Sequence, residues 1–214
     1  MKYVKMLALA AVAASALMAF IGAGTASAST ICSTTADPCP EVQKWPKGEI
    51  LDFSLEGSAL LKETSAPGGE GKTLDTCKSS TVKGEITNAG SATQNVTGKI
   101  TELTWGTCTF PTKTLEPFGG LELKKVTGTS NGTVIADGET KVTINTILFG
   151  SCVYTVSGGE TIGDVTEGNP AVFHANAVAR RTSGSAGVCP ETSNWTATYV
   201  LTTTPGTTFS VDAG

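Results

Sequence analysis

Two stretches and one set of cysteines carry residue types suited to chemistry. Gly128-Thr129-Ser130-Asn131-Gly132 fits G-x-S-x-G, and Asp164 and His174 follow in the order serine, acid, histidine. Such a serine acts only on a sharp strand-to-helix turn that lifts its hydroxyl above an α/β sheet. Here Thr133 to Asp137 follow, and then another β-like stretch. Asn131-Gly132 is instead a hairpin signature, so the residues read as a turn. His174 is the only histidine. Without an identifiable partner it reads as a structural residue rather than a general base.

Ala66 to Thr73 ends in Gly71-Lys72-Thr73 and resembles a phosphate-binding loop. That loop needs a hydrophobic strand before it and a helix after it, so that backbone N–H groups cradle the phosphate. Polar Glu63-Thr64-Ser65 precedes it, and a strand-like stretch follows. Paired carboxylates on neighbouring strands can cleave glycosides, but no pair stands out among 19 acidic residues. Asp137-Gly138-Glu139 lacks the ligand count of a calcium loop. Asn95-Val96-Thr97, Asn131-Gly132-Thr133 and Asn194-Trp195-Thr196 are sequons, which arise easily in a Thr-rich chain. The sequence therefore assigns no catalytic, cofactor-binding or metal-binding residue, and no cofactor is expected.

The six cysteines are Cys32, Cys39, Cys77, Cys108, Cys152 and Cys189. Their meaning depends on the compartment, which the N-terminus addresses. Lys2 and Lys5 precede an uncharged apolar run from Met6 to Gly24, and Ala26-Ser27-Ala28 is a small-x-small cleavage site. This three-part pattern is a secretory signal peptide over 1–28 rather than a retained span. Cys32 lies three residues beyond Ser29, so a lipoprotein anchor is not expected. No second apolar span or cell-wall sorting motif is read at the C-terminus, so the mature chain is expected to have no membrane span.

An even number of cysteines in an exported chain reads as three disulfides. No C-x-x-C occurs and there is one histidine, so the usual zinc spacings are missing. Fifteen pairings are open to six cysteines. Pairing between sequence neighbours, Cys32–Cys39, Cys77–Cys108 and Cys152–Cys189, is the expectation. Chain entropy would assign about 2.5 kcal/mol to the short loop and nearly 4 kcal/mol to each long one. Against a net domain stability of about 5–15 kcal/mol, such bridges are decisive.

Removing the leader takes two of the 15 basic residues and none of the 19 acidic ones. The acidic balance speaks for solubility and against nucleic acid or anionic membrane as partners, since both need clustered Lys and Arg. Length suits one domain, or two small ones, and is enough to bury a real core.

The elements that would carry these residues read as strands. Ser29 to Lys47 is polar, holds Pro38, Pro40 and Pro46, and reads as an irregular lead-in over 29–48. From Ile50 onward, Leu51, Phe53 and Leu55 alternate with polar residues, the period of a half-buried strand. Thr73 to Thr87 and Thr93 to Phe110 are rich in Thr, Val and Ile, with a hairpin connection at Asn88-Ala89-Gly90. Leu121 to Thr127, Thr133 to Ala136, Lys141 to Phe149 and Cys152 to Val156 follow. Turn signals at Asn131-Gly132, Asp137-Gly138 and Gly158-Gly159 separate them. Trp195, Ala197, Tyr199 and Leu201 form the cleanest alternation, and Thr207 to Val211 reads as a final strand. Asn169-Pro170 before Ala171 to Arg181 carries helix punctuation, yet the stretch alternates, and strand is the favoured reading. Many short strands with regular turns imply an all-β antiparallel sandwich or barrel over 49–214. With aromatic residues at only 6%, its core is expected to be Val, Ile, Leu and Ala, with Trp45, Trp105 and Trp195 as anchors.

Several segments resemble a group of exported actinobacterial proteins of unknown function. They are the leader ending Gly24-Thr25-Ala26-Ser27-Ala28, the Cys-x6-Cys-Pro loop at Cys32 to Pro40, and Val96-Thr97-Gly98. Cys108-Thr109-Phe110-Pro111, Leu148 to Tyr154, and Cys189-Pro190 with Trp195-x-Ala197-x-Tyr199 complete the likeness. The resemblance covers nearly the whole chain. It implies an exported, disulfide-bonded domain, supports neighbour pairing, and implies no activity or site residue.

The expected function is a non-catalytic extracellular or envelope-associated binding or structural domain, whose loops contact a cell-surface component or a protein. A secreted hydrolase acting on glycans or esters is the alternative. N-terminal sequencing of the chain recovered from the medium of a secreting host should read Ser-Thr-Ile-Cys, starting at Ser29. A start within 1–28 would contradict cleavage after Ala28.

Overall fold

The computed structural model describes residues 28–64, 71–115, 118–146, 150–184, 187–203 and 207–213. Apart from buried Ala28, the expected leader lies outside these residues. The strands are β1 (Ser29–Cys32), β2 (Ile50–Glu63), β3 (Thr73–Asn88), β4 (Val96–Cys108) and β5 (Thr112–Leu115). Next come β6 (Gly120–Lys125), β7 (Gly132–Asp137), β8 (Thr140–Thr146) and β9 (Gly150–Val156). The chain ends with β10 (Thr161–Thr166), β11 (Val172–Ser183), β12 (Thr192–Leu201) and β13 (Ser210–Ala213). A 3₁₀ turn at Glu41–Gln43 is the one helical element among the described residues.

Burial follows the two-residue period of the sequence. On β12, Ala197, Tyr199 and Leu201 are buried. On β11, Ala175, Ala177 and Ala179 are buried while His174, Asn176, Val178 and Arg180 face solvent. The ambiguous segment is thus a strand. Its alanines face the core at every second position, which a 3.6-residue period cannot arrange.

The sheet is an up-and-down meander that closes on itself. β2 pairs with β3, β3 with β4, β4 with β6, β6 with β7, β7 with β10, β10 with β11, β11 with β12, and β12 returns to β2, all antiparallel. Of the two architectures expected, sandwich or barrel, the structure is the closed eight-strand barrel. Three of its staves are broken. β5 leads into β6, β7 into β8 and β9 into β10 without the members of any pair joining in a ladder. The barrel therefore has two levels, each built on the long strands β2, β3, β4, β11 and β12. β6, β7 and β10 complete the lower level. β5, β8 and β9 complete the upper one, where β9 pairs with the far end of β11 and β5 and β4 share no ladder.

This corrects the turn reading. Asp137-Gly138 and Gly158-Gly159 do not reverse the chain. They are jogs where a stave passes from one level to the other, with φ of 106° at Gly138 and 85° at Gly159. Positive φ costs glycine little, which is why these residues mark both jogs and true turns.

The lead-in is irregular only beyond Cys32. Ser29–Cys32 forms β1, fully buried and paired with β13. The final strand lies three residues later than expected, at Ser210–Ala213, and belongs to this two-stranded plug rather than to the barrel wall. The plug covers the base of the lower level. The Ser29 hydroxyl donates to the Leu123 carbonyl and accepts from the Val96 N–H. Trp45 packs edge-on against Phe209 at 5.8 Å.

Cys32–Cys39 lies beside the plug, Cys77–Cys108 ties β3 to β4, and Cys152–Cys189 ties β9 to the segment before β12. Mid-barrel, an aromatic chain runs Phe53, Phe173, Tyr199, Trp195, Trp105, with successive ring centroids 5.3–6.4 Å apart. Trp105 and Trp195 meet as a T-shaped pair, an arrangement ring quadrupoles favour.

An ion pair adds to the ties between the plug and the barrel. Asp212 on β13 accepts from Lys125 Nζ on β6 at 2.7 Å and from the Cys39 N–H at 2.5 Å. The Lys125 and Asp212 side chains are only 10% and 5% exposed. Burial alone would raise the Asp212 pKa. The hydrogen bonds from Lys125 and from the Cys39 and Ala213 N–H groups outweigh it and hold the carboxyl below its ordinary range. A depressed folded pKa adds stability above the unfolded value, lost as pH falls through the folded one. Asp212→Asn should cost about 2 kcal/mol near neutrality, because it leaves the buried Lys125 ammonium with only the more distant, exposed Asp37 carboxylate at 3.6 Å. Thermal melts should show this gap shrinking as pH drops below the carboxylate range. A gap that does not change with pH would show that the ion pair is not its source.

Candidate functional site

The structure brings together two of the three residues of the esterase-like pattern. Asp164 on β10 and His174 on β11 are cross-strand partners on the outer wall, both exposed. The Thr133 hydroxyl donates to Asp164 Oδ1 at 2.9 Å, and His174 Nδ1 lies 3.5 Å from Thr198 Oγ1. Ser130 stands apart. It sits in the turn between β6 and β7, and its carbonyl accepts from the Val211 N–H at 2.9 Å. Among the described residues no hydrogen bond joins Ser130 to His174. The segment after Ser130 is strand β7, not the helix an elbow requires.

Of the phosphate-loop look-alike, 66–70 lie outside the described residues, and Thr73 opens strand β3 rather than a helix. Two sequon asparagines spend their amides on neighbours: Asn95 Nδ2 donates to Glu122 Oε1 at 2.7 Å, and Asn194 Nδ2 to Asn176 Oδ1 at 2.8 Å.

One cluster has the composition of a metal site. Asp75, Cys77 and Cys108 place their ligating atoms within 4.8 Å of one another. Both sulfurs are bonded to each other. Asp75 Oδ1 accepts from the Thr76 and Phe110 N–H groups at 2.8 and 3.1 Å, and Oδ2 accepts from the Thr112 hydroxyl. With its acceptors engaged and the thiols oxidised, the cluster is a strap across the β4–β5 connection.

Two hollows have ligand-sized space: a wide, open one of about 210 Å³ on the outer wall beside His174, Thr196 and Thr198, and an apolar one inside the barrel. A cavity of about 110 Å³ occupies the lower level, between the aromatic chain and the plug. Seven of the eight staves line it, from Leu51 and Phe53 on β2 around to Phe173 on β11, and Ile31 and Phe209 close it below. Eight staves are just enough to leave an interior that side chains fill or that holds one small ligand. The wall is hydrocarbon and ring surface. Glu85, Thr97 and Lys99 adjoin the cavity, but Glu85 and Lys99 pair with each other at 2.9 Å and Thr97 bonds Thr87. Leu51, Phe53, Val82 and Leu121 point inward yet remain only half-buried, because no atoms fill the space before them.

The residues that make this space were not singled out by the sequence reading. Gly84 and Gly98 sit at inward positions of β3 and β4. A glycine inside a strand pattern marks a bulge or a place where a ligand approaches the backbone, and that was the available signal.

A smaller cavity of about 40 Å³ lies in the upper level, lined by Leu61, Val142, Ile144, Ala179, Tyr154 and Trp195. The Tyr154 hydroxyl and Trp195 Nε1 are buried with no hydrogen-bond partner among the described residues. The space suffices for a water, whose share of liquid volume is about 30 Å³.

Comparison with known proteins finds no matching family model, no matching curated protein and no matching solved structure.

From Ser29 onward the chain has two tyrosines, Tyr154 and Tyr199. Burial pushes both phenols from 10.0 up to about 12. Tyr199 also meets Ser80 Oγ at 3.0 Å; since Ser80 donates to the Thr104 carbonyl, Tyr199 is the donor. An ultraviolet titration should show no phenolate until about pH 12. Unfolded phenols ionise from about pH 10, so stability should fall across that window. Phenolate appearing near pH 10 in the folded protein would place a tyrosine in water.

Proposed function

We propose that this is an exported, non-catalytic binding domain that takes its ligand inside the barrel rather than on its loops. The apolar cavity of the lower level carries this reading, a half-open hollow lined by seven staves and bounded below by Ile31 of β1 and by Phe209. An internal site on a rigid wall suits binding, since the wall holds its shape without the ligand. Three disulfides suit an oxidising compartment, in keeping with an extracellular or envelope-associated protein. The outer wall is polar and ion-paired, with Lys83–Glu102 and Lys99–Glu85 at 2.9 Å each. That is the reverse of a lipid-facing barrel, whose apolar band points outward.

A secreted hydrolase acting on glycans or esters has one observation in its favour, the Asp164–His174 pair. Among the described residues Ser130 makes no hydrogen bond to that pair, and the hydroxyl beside His174 is that of Thr198 at 3.5 Å.

Native mass spectrometry of the protein secreted by its own host tests the binding reading. The expected spectrum carries a non-covalent adduct that organic extraction removes, with a lower melting temperature afterwards. Absence of any adduct, together with no thermal shift from any of a panel of apolar compounds, would count against it. Ester or glycoside hydrolysis abolished by His174→Ala would favour the hydrolase instead.

A further inference from the structure

The lower cavity exists because two inward positions lack side chains. On β3, Lys83 and Glu85 point outward into ion pairs with Glu102 and Lys99. Val82, Gly84 and Ile86 therefore point inward. On β4, Val96 is buried and Lys99 faces out, so Gly98 also faces in. The register pairs Gly84 with Ile100, Glu85 with Lys99 and Ile86 with Gly98. Gly84 and Gly98 are thus diagonal neighbours on the same face, where side chains normally touch.

The surrounding space confirms that the gap is local. A Cβ at Gly84 would meet one atom, the Lys99 carbonyl oxygen at 3.5 Å, and a Cβ at Gly98 only the Glu85 carbonyl oxygen at 3.3 Å. Inward Gly132 on β7 is different, because a Cβ there would strike Leu123 at 2.5 Å. A side chain at Gly132 would have to displace Leu123, a Cβ at Gly98 would press lightly on a backbone carbonyl, and at Gly84 it would make only an ordinary contact, so the open position is Gly84.

Size and lining limit what fits. Drug-sized ligands need about 300–1,000 Å³. A dry apolar cavity of about 150 Å³ accommodates benzene. At about 110 Å³ this cavity is nearer the second case. A charged or strongly polar group would give up its hydration here for no partner, at a cost of several kcal/mol. Phe53 and Phe173, with ring centroids 6.4 Å apart, offer ring edges and faces.

Building on the reading of this cavity as the ligand site, we infer its ligand class. It takes a compact, uncharged hydrocarbon group, a single ring or a short branched alkyl end, and Gly84 sets the size it accepts.

The test uses the oxidised, full mature chain with benzene and lauric acid as probes, read by thermal shift and calorimetry. Benzene should raise the melting temperature of the wild-type protein in a concentration-dependent way. Gly84→Val should melt no lower than wild type, since its methyls enter existing space, and should bind benzene at least about tenfold more weakly. Gly84→Ala, the milder change, should lie between the two and serves if the valine variant does not fold. Equal benzene binding by wild type and by the folded glycine variants would overturn the role of Gly84. Lauric acid binding without benzene binding would overturn the ligand class and leave the barrel as a binding domain. Binding of neither probe would overturn the ligand class and count against the cavity as a site.

Discussion

The structure depends on closure of an antiparallel ladder. Each strand presents a row of N–H and C=O groups along both edges, and an unpaired row invites other chains. Here the last stave, β12, returns to the first, β2, with Tyr199 opposite Leu55 and Leu201 opposite Phe53. Closure makes the inside and the outside two separate environments. The two-residue period of each strand can then be satisfied around the whole circumference, with apolar residues sharing one interior. The broken staves keep this order, because each fragment pairs at its own level and the chain moves to the next level without reversing.

Closure leaves open ends, and the base is filled by a device separate from the wall. The plug joins the residues just after the expected leader to those at the far end of the chain, so it forms only once both are present. Asp212 gathers β13, β6 and the Cys32–Cys39 loop around one carboxylate. The desolvation of such a group is costly, and the density of donors around it is what makes burial tolerable. Of the other two disulfides, one joins the neighbouring strands β3 and β4 and the other ties β9 to the segment before β12, and both limit the freedom of the unfolded chain more than they add contacts to the folded one.

Inside the closed wall, packing is uneven. The aromatic chain from Phe53 to Trp105 fills the middle, and the inward alanines of β11 make room for those rings. Below it, glycine rather than alanine stands at two inward positions, and the neighbouring strands cannot collapse into the gap. Ladder spacing and closure hold the wall at a fixed radius, so missing side chains become a cavity instead of a contraction. This rigidity makes the interior suitable for holding a ligand.

Local pattern was enough to read most strands, including β11 behind its misleading Asn169-Pro170, because alternation and turn chemistry act between near neighbours; the short β5 and β10 were not read, and β1 was read as irregular. The acidic balance was likewise a reading of composition. Chain order could not distinguish a jog from a turn at Asp137-Gly138 and Gly158-Gly159, since glycine serves both with the same backbone conformation. Nor could it show that Ser29–Cys32 is buried, because that depends on a partner at the opposite end of the chain. The separation of Ser130 from the Asp164–His174 pair, and the meeting of Gly84 with Gly98, were settled only by register across closed ladders. Register is set by the hydrogen bonding and packing of all the staves together, and no single segment contains it.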